Sequence, residues 1–269
     1  MNGLARPVPA REAHARPAIA RAFGQAATGY DGHAALQREV ADALLAQRAA
    51  GTRHRLLDLG CGTGYCAAQL RAAYPAAALY GLDLARPMLR VAGSRGIDDL
   101  ALVCADAARL PFADATFDLL VSSLTIQWCP DTTALFSDLF RVLRPGAQAL
   151  LSTFAPGTLR ELRTAWAAAD AGVHVNTFLP PQALVIAATQ AGFRVDLRRE
   201  CRVRYYPSLR VLALDLKGIG AHTLHAGRRR GLTTPTAFRQ AEEAFASTEV
   251  PGRGIPVSWE LCYLDLRRD

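Results

Sequence analysis

Short apolar runs alternate with amphipathic stretches through the middle of the chain. The runs are RLLDL (55–59), ALYGLD (78–83), LALVCAD (100–106), FDLLVSS (117–123) and ALLSTF (149–154). Each has the length and apolar content of a buried strand, and stretches of helical spacing separate most of them. Strands joined through helices pair in parallel, so the pattern predicts an α/β fold built on a doubly wound sheet.

The residues before the first predicted strand fall into two parts. Residues 1–18 contain three prolines among Ala and Arg, and we expect a mobile tail without a role. From Ile19 to about Arg48 apolar positions recur at helical spacing, and Asp31 stands where an N-cap is expected. A helix is therefore predicted to precede the first strand.

The alternation loosens after residue 154. Helices are predicted over 158–170, 180–191 and 207–247, and strands over 193–206 and 257–266. The strand 193–206 has, with Arg199 as the exception, an apolar face made of Val195, Leu197, Cys201, Val203 and Tyr205. We expect one domain over 19–269, with helical lid segments at 19–48, 156–180 and 207–247.

The net charge of +7 is weak support for a nucleic-acid partner. Thirty of the thirty-one basic residues are Arg, and Lys217 is the one Lys, which indicates a compositional bias. No apolar run approaches the ~18 residues that span a bilayer, and the arginine-rich start does not resemble a signal peptide. These features predict a cytoplasmic protein without membrane or nucleic-acid contacts.

The distribution of Cys and His does not favour a metal site. The six cysteines contain no CxxC pair, which leaves zinc binding and a disulfide framework without support. His222 and His225 have the i, i+3 spacing of helical metal ligands, but no carboxylate or thiol lies at a fitting distance. We expect no metal.

The strongest local signal is the loop LLDLGCGTGYC at 56–66. Asp58 ends a predicted strand, and Gly60, Gly62 and Gly64 follow it before a helical pattern begins. Glycines at this point let the backbone turn sharply and approach a ligand. The GxGxG spacing differs from the GxGxxG of dinucleotide sites, so tight binding of a pyrophosphate is not indicated.

Two acids follow at the ends of the next two predicted strands. Asp83 would stand at the switch point of the sheet, where a carboxylate can accept hydrogen bonds from both hydroxyls of a ribose. Asp106 would lie one strand further, where it can accept from an adenine amine. Either acid alone has the simpler interpretation of a solvated loop residue or helix cap. Together with the glycine loop they predict an adenosine pocket.

With these motifs, and with FDLLVSSLTIQW and LFRVLRPGAQALLSTF, the chain resembles the class I S-adenosylmethionine-dependent methyltransferases. The resemblance implies a seven-stranded sheet with the last strand antiparallel, S-adenosylmethionine as the cofactor, and no metal. The cofactor-binding residues that it implies are Tyr30, Gln37, Asp58, Gly60, Gly62, Gly64, Asp83, Leu84, Met88, Asp106, Ala107 and Ser123.

The flanking segments resemble one family within this class, the malonyl-acyl-carrier-protein O-methyltransferases of biotin synthesis. The resemblance lies in FGQAATGYDGHAALQREVADALL (23–45), LTIQWCPD (124–131), LRELRTAWAAAD…HVNTFLPP (159–181), LKGIGAHTLHAGRRRGLT (216–233) and PVSWELCYLDL (256–266). It implies methylation of the free carboxylate of a malonyl thioester, on acyl carrier protein or coenzyme A, to give the ester that primes pimeloyl formation. The carrier and the oligomeric state stay open.

Such a reaction needs positioning and no acid or base catalyst, because a malonyl carboxylate is already ionised near pH 7. The expected substrate-positioning residues are Tyr30, Gln127, Trp128, Lys217, His222 and Arg228. The basic turn Arg228 to Arg230 could also meet an acidic carrier, although such a turn is most often only solvated.

Three other functions remain possible from the residues. The acceptor could be another acid or a quinone precursor, which the LKGIGA segment disfavours. A nucleic-acid base methyltransferase would need an Asn/Asp-Pro-Pro-aromatic turn where this chain has SSLTIQWC. A non-catalytic protein that only binds the cofactor would be distinguished by measuring turnover.

Overall fold

The computed structural model describes residues 15–221 and 234–269. The helices are α1 (Ala15–Ala26), α2 (Tyr30–His33), α3 (Ala35–Leu45), α4 (Tyr65–Ala73), α5 (Arg86–Gly93), α6 (Thr132–Val142), α7 (Arg160–Ala167), α8 (Pro181–Gln190), α9 (Leu209–Gly218) and α10 (Pro235–Ala246), with a 3₁₀ turn at Ile126–Trp128. The strands are β1 (Arg55–Leu59), β2 (Ala78–Asp83), β3 (Leu100–Cys104), β4 (Phe117–Ser123), β5 (Leu143–Phe154), β6 (Arg194–Tyr206) and β7 (Ile255–Arg267).

The seven strands form one sheet in the order β3-β2-β1-β4-β5-β7-β6. The pairs β3-β2, β2-β1, β1-β4 and β4-β5 are parallel, and β7 is antiparallel to both β5 and β6. The predicted doubly wound sheet with an antiparallel last strand is confirmed. The strand order reverses between β1 and β4, and ligands bind at the carboxyl ends of the strands around such a point.

The sheet is covered on both faces, which explains why its central strands are continuous apolar runs. Leu56 and Leu57 are neighbours on β1, and both are fully buried, in two different apolar clusters on opposite faces of the sheet. Burial of one leucine side chain stabilises the fold by roughly 1.5–3 kcal/mol. The carboxyl edge of this sheet is therefore a rigid platform for loops.

The segment before β1 differs from the predicted single helix. It forms α1, α2 and α3, and α1 begins at Ala15, inside the predicted tail, while residues 1–14 lie outside the described residues. Glycine costs about 1 kcal/mol in a helix interior, and Gly29 lies at the break between α1 and α2. Asp31 caps no helix. It lies within α2 and accepts a hydrogen bond from the Thr63 hydroxyl at 2.7 Å.

The predicted strand 193–206 is β6, but its faces differ from the expectation. Cys201 and Val203 are exposed, whereas Arg202 and Arg204 are half-buried on the opposite face. Both arginines form ion pairs with Glu39 of α3, at 3.0 and 2.6 Å. The long aliphatic stems of arginine can cover apolar surface while the guanidinium groups find carboxylates, so the polar face lies inward here.

Of the predicted helical segment 207–247, the structure describes α9 and α10. No helix in the two described ranges is long and apolar enough to cross a membrane.

Candidate active site

The glycine loop connects β1 to α4 beneath the carboxyl ends of the strands. Gly60 has a φ of 72°, and a Cβ there would lie 2.1 Å from the Thr125 hydroxyl oxygen, so a larger residue would collide with the turn after β4. Gly62 has a φ of 52°, and a Cβ there would meet nothing within 4 Å. Gly64 instead packs against Ala92 of α5. The loop therefore leaves open space above Gly62.

A cavity of about 110 Å³, called cavity A, lies next to this loop. Its lining includes nine residues expected to bind the cofactor, namely Tyr30, Gly60, Gly62, Asp83, Leu84, Met88, Asp106, Ala107 and Ser123. Arg16, Ile19 and Phe23 of α1 also line it, as do Leu124 and Trp128 after β4. Chain segments far apart in sequence thus meet in one pocket at the switch point of the sheet.

Asp83 ends β2 and holds the glycine loop in place. Its Oδ2 accepts a hydrogen bond from the Gly62 N–H at 2.9 Å, and its Oδ1 accepts from the Ala85 N–H at 2.7 Å. Burial raises the pKa of Asp83, while these backbone hydrogen bonds lower it. Each carboxylate oxygen has a further lone pair, so Asp83 can also accept from two hydroxyls of a ribose.

Asp106 lies on the other side of cavity A. Its Oδ1 accepts from the Ala108 N–H at 2.9 Å, and its Oδ2 forms an ion pair with Arg16 Nη1 at 2.7 Å. Both side chains of the pair are about one quarter exposed. Arg16 was not among the expected site residues, because it falls within the predicted tail. The first helix therefore closes the cavity over Asp106.

A smaller cavity of about 60 Å³, cavity B, adjoins the glycine loop on its other side. Asp58 lines it and is 1% exposed, and its Oδ2 has no hydrogen-bond partner. Burial raises the pKa of Asp58 to about 7, with a further rise from Asp83 and an opposing hydrogen bond from the Ala67 N–H. A buried carboxylate oxygen without a donor fits the ammonium group of an amino acid.

Cavities A and B together fit S-adenosylmethionine. Asp83 and Asp106 can hold the ribose and adenine, and Asp58 can hold the ammonium group of the methionine part. Tyr30, Gly60, Gly62 and Ser123 line both cavities, so they lie where the two parts of the cofactor would join.

A third and larger cavity, cavity C, has a volume of about 240 Å³ and a mostly aromatic and aliphatic lining. It is bounded by the three N-terminal helices, the turn after β4, the segment around α7, and helices α9 and α10. Cavity C shares Phe23, Leu124 and Trp128 with cavity A, and Gln37 with cavity B. Tyr30 lines all three cavities, which places it where a cofactor and an acceptor would meet.

The Tyr30 phenol keeps its proton in this position. Burial, followed by the charges of Asp83 and Asp31, raises the pKa of its phenol well above the ordinary value. The phenol is therefore neutral near pH 7, so it can donate a hydrogen bond but cannot remove a proton from an acceptor. This agrees with the expected positioning role.

The other expected positioning residues near the strands have defined contacts. Gln127 lines cavity C, but its amide donates to the Leu124 carbonyl at 2.7 Å and accepts from the Thr153 hydroxyl at 3.1 Å. Both ends of this amide thus support the turn after β4. Trp128 lines cavities A and C and packs edge-on against Phe23, with ring centroids 5.3 Å apart.

The remaining expected residues are Gln37, Lys217, His222 and Arg228. Gln37 lines cavities B and C, and its buried Oε1 has no partner, so it faces the acceptor side as well as the cofactor side. Lys217 is exposed in the last turn of α9 and lines none of the three cavities. His222 and Arg228 lie outside the described residues.

Two contacts of the site were not anticipated from sequence. Arg95, after α5, forms an ion pair with Asp31 and donates to Thr63 of the glycine loop, so it joins the N-terminal helices to that loop. His174 lines cavity C, and its Nε2 lies 2.8 Å from Asp170 Oδ1. The i, i+4 spacing of Asp170 and His174 was the available signal, but it lies in an irregular segment. Within the described residues no group of His, Cys, Asp and Glu could hold a metal ion.

Comparison with known proteins decides the family. The methyltransferase domain family matches residues 57–151. The malonyl-acyl-carrier-protein O-methyltransferase of Methylococcus capsulatus is 39% identical over 273 residues, which cover 97% of this chain and 98% of that protein. The chain belongs to the malonyl-acyl-carrier-protein O-methyltransferase family.

One further comparison concerns the family and another concerns the fold. The biotin biosynthesis bifunctional protein BioHC of Teredinibacter turnerae is 39% identical over 284 residues, covering 100% of this chain and 50% of that protein. This chain thus spans about half the length of that bifunctional relative. The crystal structure of the YcgJ protein of Bacillus subtilis matches with a TM-score of 0.60 and 15% identity, over 86% of this chain and 99% of that one, which supports the fold alone.

The predicted resemblance to this family, the methyltransferase class and S-adenosylmethionine as the cofactor are confirmed. The roles of individual residues in binding cofactor and acceptor stay predictions.

Proposed function

We propose that this protein transfers a methyl group from S-adenosylmethionine to the free carboxylate of a malonyl thioester, with malonyl-acyl-carrier protein as the acceptor. The product would be the methyl ester that primes pimeloyl formation in biotin synthesis. The central observation is that cavity C, which is large and apolar, meets cavities A and B at Tyr30. A relative named for this activity covers nearly the whole chain, which supports the same acceptor.

The chemistry of the lining favours an acceptor that is already ionised. Among the described residues that line cavity C there is no Asp, Glu, Lys or Arg. The phenol of Tyr30 holds its proton because burial raises its pKa. A hydroxyl or amine acceptor would need a base close to the methyl group, for which His174 is the one candidate in the described lining, whereas a carboxylate near pH 7 needs none. Positioning is then the main task of the site.

When bound, S-adenosylmethionine would supply a methyl group on a positively charged sulfur, which would leave as the neutral thioether while a carboxylate oxygen takes the methyl group, with no proton exchanged. The residues of this chain bind and orient the two reactants. Asp58, Asp83 and Asp106 hold the polar ends of the cofactor. Tyr30 and Trp128 surround the junction of the cavities and exclude water, which raises the reactivity of a desolvated carboxylate. Alignment within ~3–3.5 Å provides the rest of the rate enhancement.

We propose a route to the surface for the long arm of a carrier-bound thioester. A cavity of about 100 Å³, cavity D, shares Gln37, Leu216, Ile219 and Trp259 with cavity C, and Arg204 also lines it. We propose that the pantetheine arm follows this route, and that the acidic carrier is attracted by the basic residues of the chain, including Arg228 to Arg230. A cytoplasmic location is part of the same proposal.

The proposal is tested by offering the protein labelled S-adenosylmethionine with malonyl-acyl-carrier protein, malonyl-coenzyme A or free malonate. We expect a base-labile methyl ester on the thioesters, formed faster on the carrier than on coenzyme A, and little on free malonate. Acetyl-coenzyme A, which lacks the carboxylate, is the matched control. Methylation of free malonate or of another small acid at the higher rate would favour the alternative acceptor and contradict the proposal.

A further inference from the structure

Cavity C presents an electrostatic problem if a malonyl group is its occupant. An ionised carboxylate inside an apolar cavity is costly unless a positive group or several hydrogen-bond donors meet it. In the described part of the lining, His174 is the one side chain that can become a cation. Its position and contacts therefore determine whether the protein itself can neutralise the acceptor.

The imidazole of His174 is held in one orientation. Its Nε2 lies 2.8 Å from Asp170 Oδ1, and both side chains are largely buried, at 17% and 13% exposure. A carboxylate at this distance fixes a proton on Nε2. The other ring nitrogen, Nδ1, donates to a ligand only when the ring carries a second proton, so an anionic ligand would bind the imidazolium form.

The surrounding residues also suit an imidazolium. The ring stacks on Trp166, with centroids 3.9 Å apart and planes 7° from parallel, and the face of an indole attracts a cation. Gly172 leaves room for the pair, because a Cβ there would lie 2.8 Å from Asp170 Oδ1 and 3.2 Å from His174 Nε2. The Gly172 N–H also donates to Asp170 Oδ1 at 2.6 Å. The contacts of Asp170 and Gly172 thus hold the His174 imidazole in place within the loop 170–174.

We propose that His174, oriented by Asp170 and Trp166, binds the carboxylate of the acceptor and so makes the site specific for the malonyl acid over its methyl ester. This inference rests on the proposed function. The charges of Asp170 (negative), His174 (positive), the acceptor carboxylate (negative) and the cofactor sulfonium (positive) then sum to zero around the methyl-transfer point. After transfer the ester is neutral, so His174 loses its partner and the product binds less tightly than the acid.

The test compares two coenzyme A thioesters that differ only at the malonyl end, which is an ionised carboxylate in one and a neutral methyl ester in the other. His174→Phe keeps a ring on Trp166 but has no charge or donor, and His174→Gln restores a donor without the charge. We measure the KM for malonyl-coenzyme A and the inhibition constant of its methyl ester. We expect His174→Phe to raise the KM roughly 10- to 100-fold, from the loss of a charge-assisted hydrogen bond, and to change the ester's inhibition constant less than threefold. His174→Gln should recover part of the affinity.

Two controls separate binding from structure. His54→Gln alters an exposed histidine at the start of β1, outside the four cavities, and should change neither constant. Affinity for S-adenosylhomocysteine should be unchanged in the His174 variants, because His174 does not line cavity A or B. Equal losses for acid and ester, or no loss for the acid, would overturn this inference alone. If the unaltered protein neither binds nor methylates malonyl thioesters, the proposed function is overturned and this inference with it.

Discussion

The buried carboxyl of Asp58 makes the stability of the ligand-free protein depend on pH. The perturbation that reveals this is Asp58→Asn, which removes the charge and keeps the shape. The ordinary pKa of an aspartate is 3.8, and the folded protein raises that of Asp58 to about 7. Well below pH 3.8 the Asp58 carboxyl is protonated in both the folded and the unfolded chain. Between pH 3.8 and about 7 it ionises mainly in the unfolded chain, so the free energy of unfolding falls as pH rises, and above about pH 7 the full loss is present.

The magnitude follows from the shift of the pKa. The pKa of Asp58 rises by about three, and each pKa unit corresponds to about 1.36 kcal/mol. The free energy of unfolding therefore falls by about 4 kcal/mol between pH 4 and pH 8, and about 2–3 kcal/mol of this fall lies between pH 5 and pH 8. Asp58→Asn lacks this contribution. We therefore expect the variant to gain about 2–3 kcal/mol of unfolding free energy relative to the unaltered protein as pH rises from 5 to 8.

Urea denaturation of the ligand-free protein at pH 5, 6, 7 and 8 measures this difference. Asp98→Asn, at an exposed position outside the cavities, is the matched control and should follow the unaltered protein. Binding of S-adenosylhomocysteine should show the opposite dependence. Its ammonium group favours the ionised Asp58, so binding should release a proton and tighten as pH rises towards 7, and Asp58→Asn should abolish that proton release. Parallel stability curves for the variant and the unaltered protein would refute the reasoning.

Four further outcomes are expected. Asp83→Ala should weaken S-adenosylhomocysteine binding at least tenfold by calorimetry, since two charge-assisted hydrogen bonds of roughly 1.5–3 kcal/mol each are lost. Unchanged affinity would show that Asp83 does not bind the ribose. Arg16→Ala should speed cofactor release in stopped-flow measurements by at most about fivefold, because its ion pair with Asp106 is partly solvated, and an unchanged rate would contradict a closing role for α1. At saturating substrates kcat should be flat from about pH 6 to 8, whereas a basic limb would indicate a hydroxyl or amine acceptor. Reversal of Arg228 and Arg229 to Glu should raise the KM for malonyl-carrier more than for malonyl-coenzyme A, and equal rises would exclude a contact with the carrier surface.

The cofactor side of the site could be predicted because its determinants are local. A glycine loop after β1 and an acid at the end of β2 are each defined by a few consecutive residues, and parallel pairing brings the ends of neighbouring strands together. Gly60, Gly62, Asp83 and Asp106 therefore line one cavity as expected, although their contacts with the cofactor stay predictions. Gly64, whose spacing also matched the motif, packs against a helix, and its role in cofactor binding stays a prediction.

The acceptor side could not be predicted to the same degree. Gln127 was expected to position the substrate, and its type and place after β4 were suitable, but only the structure shows that its amide is bound to Leu124 and Thr153. Lys217 was noted because it is the one Lys in the chain, yet it lies exposed in α9. Composition indicates that a residue is unusual, and says nothing about the direction in which its side chain points.

The sequence by itself determined the doubly wound sheet, the glycine loop and the family, because hydrophobic periodicity and short motifs act over a few residues and need no knowledge of distant contacts. The tertiary structure alone decided that Arg202 and Arg204 of β6 face inward and pair with Glu39, that Arg16 closes on Asp106, and that Tyr30 stands where three cavities meet. Each of these depends on how helices outside the sheet pack onto its carboxyl edge. That packing is set by the sum of many weak apolar contacts between remote segments, which no local pattern records.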